Sequence, residues 1–136
     1  MTIAYWCVLG AILLPYLCFG IARNRGRGPD GHRLRDNSNP RDFPNRIDGL
    51  ARRAWDAHLN AFESLPGFAA AVIIAHLAGT PQPQIDALSV AWLLARFAYV
   101  GFYLAGRSTA RTAAQAISLL SVVGLFVVAG IAGSTA

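Results

Sequence analysis

The sequence predicts an all-α integral membrane bundle of four helices. Hydrophobic residues make up 54% of the 136-residue chain and charged residues only 14%, too little charge to cover a water-soluble domain of this size. Residues 3–21 and 112–132 contain no charged side chain, and each is long enough to cross a hydrocarbon core of about 30 Å. Residues 48–78 and 85–106 are apolar over most of their length but carry isolated charges. The chain is long enough for one domain, residues 1–136, and too short for two.

The first helix, about 3–21, starts with Tyr5 and Trp6 at interfacial depth and contains Pro15, which is expected to kink it. Cys7 and Cys18 on this helix would sit roughly 16 Å apart, so they cannot bond to each other. The start of the chain has no basic region and no small-residue cleavage site, which favours a retained helix over a signal peptide.

Residues 22–47 form the one long loop, in which Gly, Pro, Asn and Asp recur and argue against extended helix before Pro44. All twelve basic residues of the chain are Arg, and nine of them fall in 23–53. Asp30, Asp36, Asp42 and Asp48 interleave with them and no nucleic-acid fold signature is present. Anionic lipid headgroups therefore fit this patch better than nucleic acid. Arg23, Arg25, Arg27, Arg33 and Arg35 read most simply as topology determinants. The 79–84 link has no Arg, whereas the next link is flanked by Arg107 and Arg111. The positive-inside rule then puts both basic loops in the cytoplasm and both termini outside, in a bacterial inner membrane.

Asp48 is the expected N-cap of the second helix, about 48–78, which exceeds the bilayer core and should project its first two turns into water or headgroups. Pro66 interrupts it one turn after Glu63. Residues 80–84 form a tight link to the third helix, about 85–106, and the fourth runs about 112–132. The small residues of the fourth helix allow close backbone approach.

Two stripes hold the polar residues. At about 100° per residue, Arg53, Asp56, Asn60, Glu63 and Gly67 share one side of the second helix, and Arg96, Tyr99, Tyr103 and Arg107 share one side of the third. Lipid cannot solvate such stripes, so each must face protein or a wet cleft. The simplest structural reading pairs Glu63 with Arg96 across the two helices. For Asn60 an interhelical hydrogen bond and ligand contact are equally open, and Tyr99 and Tyr103 also fit as ordinary bundle aromatics. His58 and His76 point away from the stripe and from each other, which disfavours a metal site.

The pattern R-A-x-x-x-H-x-N-x-x-E-x-x-P-x-F on the second helix resembles the MAPEG proteins, the membrane-associated proteins of eicosanoid and glutathione metabolism. R-x-x-Y-x-x-x-Y followed by Arg on the third helix, the four-helix length and the basic first loop extend the resemblance over nearly the whole chain. It implies a homotrimer that binds glutathione between neighbouring subunits near the cytoplasmic face. The residues it implicates are Asn60, Glu63, Tyr99 and Tyr103, with Arg107 or Arg111 stabilising the thiolate. Asp56 departs from the family, whose better-characterised enzymes have Arg there; Arg53, one turn earlier on the stripe, is its candidate substitute.

The expected binding set is thus Arg53, Asn60, Glu63, Arg96, Tyr99 and Tyr103, and the expected catalytic set Arg107, Arg111 and Tyr103. The expected activity is glutathione-dependent transfer or peroxide reduction on a lipophilic electrophile drawn from the bilayer. A non-catalytic MAPEG-like subunit, favoured by Asp56, and a small transporter using Glu63 are the alternatives.

Overall fold

A computed structural model describes residues 1–28, 31–34 and 38–134. Four long helices run α1 (Ile3–Arg25), α2 (Gly49–Leu77), α3 (Gln82–Leu104) and α4 (Ser108–Gly133), with a short 3-10 helix, Pro40–Arg46, between the first two. All four long helices are long and apolar enough to cross a membrane. Arg35, one of the loop arginines read as a topology determinant, lies outside the described residues, as do Asp30 and Asp36.

Local chemistry sets the helix ends. The Thr2 hydroxyl accepts from the Tyr5 amide at 3.4 Å, and the Asp86 carboxylate of α3 accepts from the Ala4 amide at 2.8 Å. Two of the unpaired donors at the start of α1 are thereby satisfied. Beyond residue 21 the helix continues to Arg25, placing Arg23 and Arg25 against the negative end of its dipole. Asp48 occupies the N-cap position of α2, but its side chain makes no capping bond.

Both short links close in the same way. The Gly79 amide bonds the His76 carbonyl and the Thr80 amide bonds the Ala75 carbonyl, each at 3.1 Å. The Gly106 and Arg107 amides repeat the pattern on the Tyr103 and Phe102 carbonyls. Each link needs a left-handed residue at its Gly, with φ +72 at Gly79 and +70 at Gly106. These turns begin α3 at Gln82 and α4 at Ser108, earlier than the hydropathy suggests, because polar residues can open a helix.

α2 stays helical through Pro66, which lies on the outer surface of the subunit. α2 and α3 form the centre of the bundle, each packing against all three other helices. Alanines 51, 54, 57, 61, 71 and 75 face inward on α2, so neighbouring backbones come close. Away from the basic loop, Phe68 and Trp92 stack at 3.8 Å within a core that includes Val72, Ile85 and Leu125. The middle of the bundle packs Leu14, Cys18, Ala57, Tyr99 and Val100.

The described residues of the long loop pack against the bundle. Leu34, Phe43 and Ile47 pack with Ala22, Ala51 and Ala54 beneath the basic end of the bundle. Arg52 of α2 donates to the Pro44 carbonyl at 3.0 Å, and the Arg23 guanidinium lies 5.3 Å from the Phe43 ring centroid. Gly26 lets the loop sit close here: a Cβ on it would lie 3.0–3.1 Å from the Ile47 and Phe43 side chains, which would have to give way. Among the large apolar side chains, Leu94, Ile117, Leu120 and Ile131 point outward, as a lipid-solvated surface allows.

Candidate functional site at the α2–α3 seam

The polar stripe of α2 faces α3 from Arg53 to Asn60 and opens onto the subunit surface at Glu63 and Gly67. Arg96 of α3, 0% exposed, is the largest fully buried side chain. Its guanidinium donates to Asn60 Oδ1 at 2.7 Å, to the Asn60 carbonyl at 3.3 Å and to Gln115 Oε1 of α4 at 2.6 Å. Three helices are tied through one cation.

The expected Glu63–Arg96 ion pair is not formed. Among the described residues Arg96 has only neutral acceptors, and Glu63 lies on the outer surface of the subunit with no ion pair. Asn60 precedes Glu63 by three residues and stands where the seam is still closed, so it intercepts the guanidinium. An amide does not neutralise the charge as a carboxylate would, but it adds no second ion to desolvate. The Nε of Arg96 is buried with no partner.

From Arg96 a ladder of alternating contacts runs to the basic end. The guanidinium lies 4.4 Å from the Tyr99 ring centroid, Tyr99 meets Tyr103 edge-on at 5.7 Å, and Arg111 of α4 lies 4.5 Å from the Tyr103 centroid. Cations over aromatic faces are attracted by the ring quadrupole, most strongly where water is excluded. Tyr99 is buried, whereas Tyr103 and Arg111 are partly open. Arg107 holds the N-cap position of α4 and is exposed, so Arg111 rather than Arg107 meets Tyr103.

Arg53 donates to the Leu104 carbonyl at the end of α3, at 3.1 Å, a bond that caps the helix and suits its dipole. Asp56 pairs with Arg52 at 3.0 Å, which offsets the negative charge at this departure from the family pattern. The seam therefore brings together Arg53, Asn60, Arg96, Tyr99, Tyr103 and Arg111, and leaves Glu63 and Arg107 outside that cluster. Gln115 is the partner that reading the sequence missed. Its signal was present: an amide alone in an apolar membrane helix needs an interior partner.

Four helices long and apolar enough to cross a membrane, with large apolar side chains pointing outward and the Arg96 cation held inside, define an integral membrane protein. The MAPEG family model matches residues 3–131, and the chain belongs to that family, whose members are membrane proteins of eicosanoid and glutathione metabolism. Searches of curated proteins and of solved structures give no significant match.

Proposed function

We propose that the protein is a glutathione-dependent transferase or peroxidase acting on lipophilic electrophiles, working as a homotrimer with its basic end in the cytoplasm. The observation that carries this reading is the partly open Tyr103–Arg111 pair at the mouth of the seam, in a chain of the MAPEG family. A guanidinium beside a bound thiol favours the thiolate, the form that attacks. Tyr103 would donate a hydrogen bond to the sulfur or to the electrophile. Glu63, outward on α2, would meet the ligand or the neighbouring subunit. An apolar cleft between subunits would admit the electrophile from the bilayer.

The internal bonds support a second reading, a non-catalytic membrane subunit. Arg53, Asp56, Asn60 and Arg96 are all engaged within the subunit, so this part of the polar seam is satisfied without a ligand. Calorimetry with glutathione separates the two. Wild type should bind, Arg111→Ala should bind about tenfold more weakly through loss of one charge-assisted contact, and Asp56→Arg should tighten binding. Absence of heat from both wild type and Asp56→Arg would leave the structural reading.

A further inference from the structure

Near its basic end, α3 turns an open groove of about 340 Å³ away from the seam. Ala98, Gly101, Phe102, Ala105 and Arg107 line it. Ala98, Gly101 and Ala105 lie roughly 140–200° around α3 from Arg96, which meets Asn60 of α2. The groove therefore opens on the far side of α3 from α2. An assembly of copies through the outward position of α2 at Glu63 leaves it facing lipid.

No neighbour inside the subunit requires a glycine at 101. A Cβ there would meet no atom within 4 Å, although glycine weakens a helix interior relative to alanine. The close approach that it permits is directed outward. From Ala98 to Ala105 the floor rises about 10 Å. Toward the bilayer centre the same face carries Phe97 and Leu94, large exposed side chains that end the groove.

Arg107 stands at the other end. Its amide donates to the Phe102 carbonyl at 2.9 Å, which fixes the residue at the groove mouth. Its side chain is exposed and has no partner among the described residues. It lies just beyond the end of α3 at Leu104, so its guanidinium is at headgroup depth. No carboxylate is among the lining residues. An apolar channel with one unpaired cation at its mouth matches the two parts of an anionic phospholipid. A zwitterionic lipid would bring its own cation to Arg107, and an apolar helix crossing there would fill the channel without supplying an anion.

We propose that this groove binds one anionic phospholipid, with its phosphate on Arg107 and an acyl chain along Ala98, Gly101 and Ala105. The site is separate from the α2–α3 seam and does not rest on glutathione binding.

The test measures tryptophan quenching of full-length protein in dioleoylphosphatidylcholine bilayers. Phe102→Trp places a reporter in the groove wall, and the parent protein gives the background from Trp6, Trp55 and Trp92. Brominated phosphatidylglycerol and brominated phosphatidylcholine are the probes. The added quenching should show the anionic lipid bound at least about threefold more tightly, the scale of one Arg at a charged surface. In the reporter background Arg107→Gln should abolish that preference, whereas Arg25→Gln, which removes a basic residue outside the groove, should keep it. Gly101→Leu, for which there is room, should fill the groove and reduce quenching by both lipids. Equal affinity for the two lipids, a preference that survives Arg107→Gln, or one lost equally in Arg25→Gln would overturn the proposal. So would a reporter that neither lipid quenches, or disulfide crosslinking between copies through Gly101→Cys, since either would put protein in the groove.

Discussion

Replacing Asn60 by Leu tests the central lock most directly. The change removes the amide that accepts from Arg96 at 2.7 Å and leaves the buried guanidinium with Gln115 and the weaker backbone contact at 3.3 Å. A hydrogen bond to a charged group contributes about 1.5–3 kcal/mol, and stripping partners from a buried charge costs up to about 3–5 kcal/mol. One strong acceptor of the set is lost, so Asn60→Leu should destabilise the subunit by about 3 kcal/mol. Arg96→Met alone should cost a similar amount by orphaning Asn60 and Gln115. The double variant has no charge to satisfy and should recover much of the loss, giving a coupling of about 1.5–3 kcal/mol. Reversible unfolding in mixed micelles, followed by circular dichroism, provides the four stabilities of the cycle. The same cycle with Glu63→Gln should show coupling within about 0.5 kcal/mol, as for residues that do not meet. Stronger coupling of Arg96 to Glu63 than to Asn60 would refute the assignment.

Three further outcomes follow from other parts of the fold. Gly26→Val should destabilise the docked loop by about 1–3 kcal/mol, since its side chain would displace Phe43 and Ile47, and limited proteolysis should then cut within the loop. Asp86→Ala removes the acceptor of the Ala4 amide and should cost about 1 kcal/mol, with faster amide exchange in the first turn of α1; Asp86→Asn should restore most of it. A C-terminal alkaline phosphatase fusion should be active and a C-terminal fluorescent fusion dark, as the Arg distribution requires; the reverse pattern would refute the proposed orientation.

The sequence by itself determined the class of fold, because apolar run length and scarcity of charge leave a membrane helix little alternative. It also required the stripes of α2 and α3 to face protein or a wet cleft, since lipid would solvate neither; the α2 stripe meets α3 from Arg53 to Asn60 and opens onto the subunit surface at Glu63 and Gly67. Family membership was readable in the spacing of His58, Asn60, Glu63, Pro66 and Phe68. The partner of each polar group was decided by the tertiary structure. Asn60 and Glu63 lie one turn apart on the same stripe, and periodicity alone cannot tell which meets Arg96. The seam is closed at Asn60 and open at Glu63, so the amide takes the guanidinium. Gln115 joins it from a helix whose register against α3 is set by packing, not by local sequence. The loop is a similar case: its composition excluded a long helix, but only the apolar surface formed by Ala22, Ala51 and Ala54 in the folded bundle gives Phe43 and Ile47 somewhere to be buried.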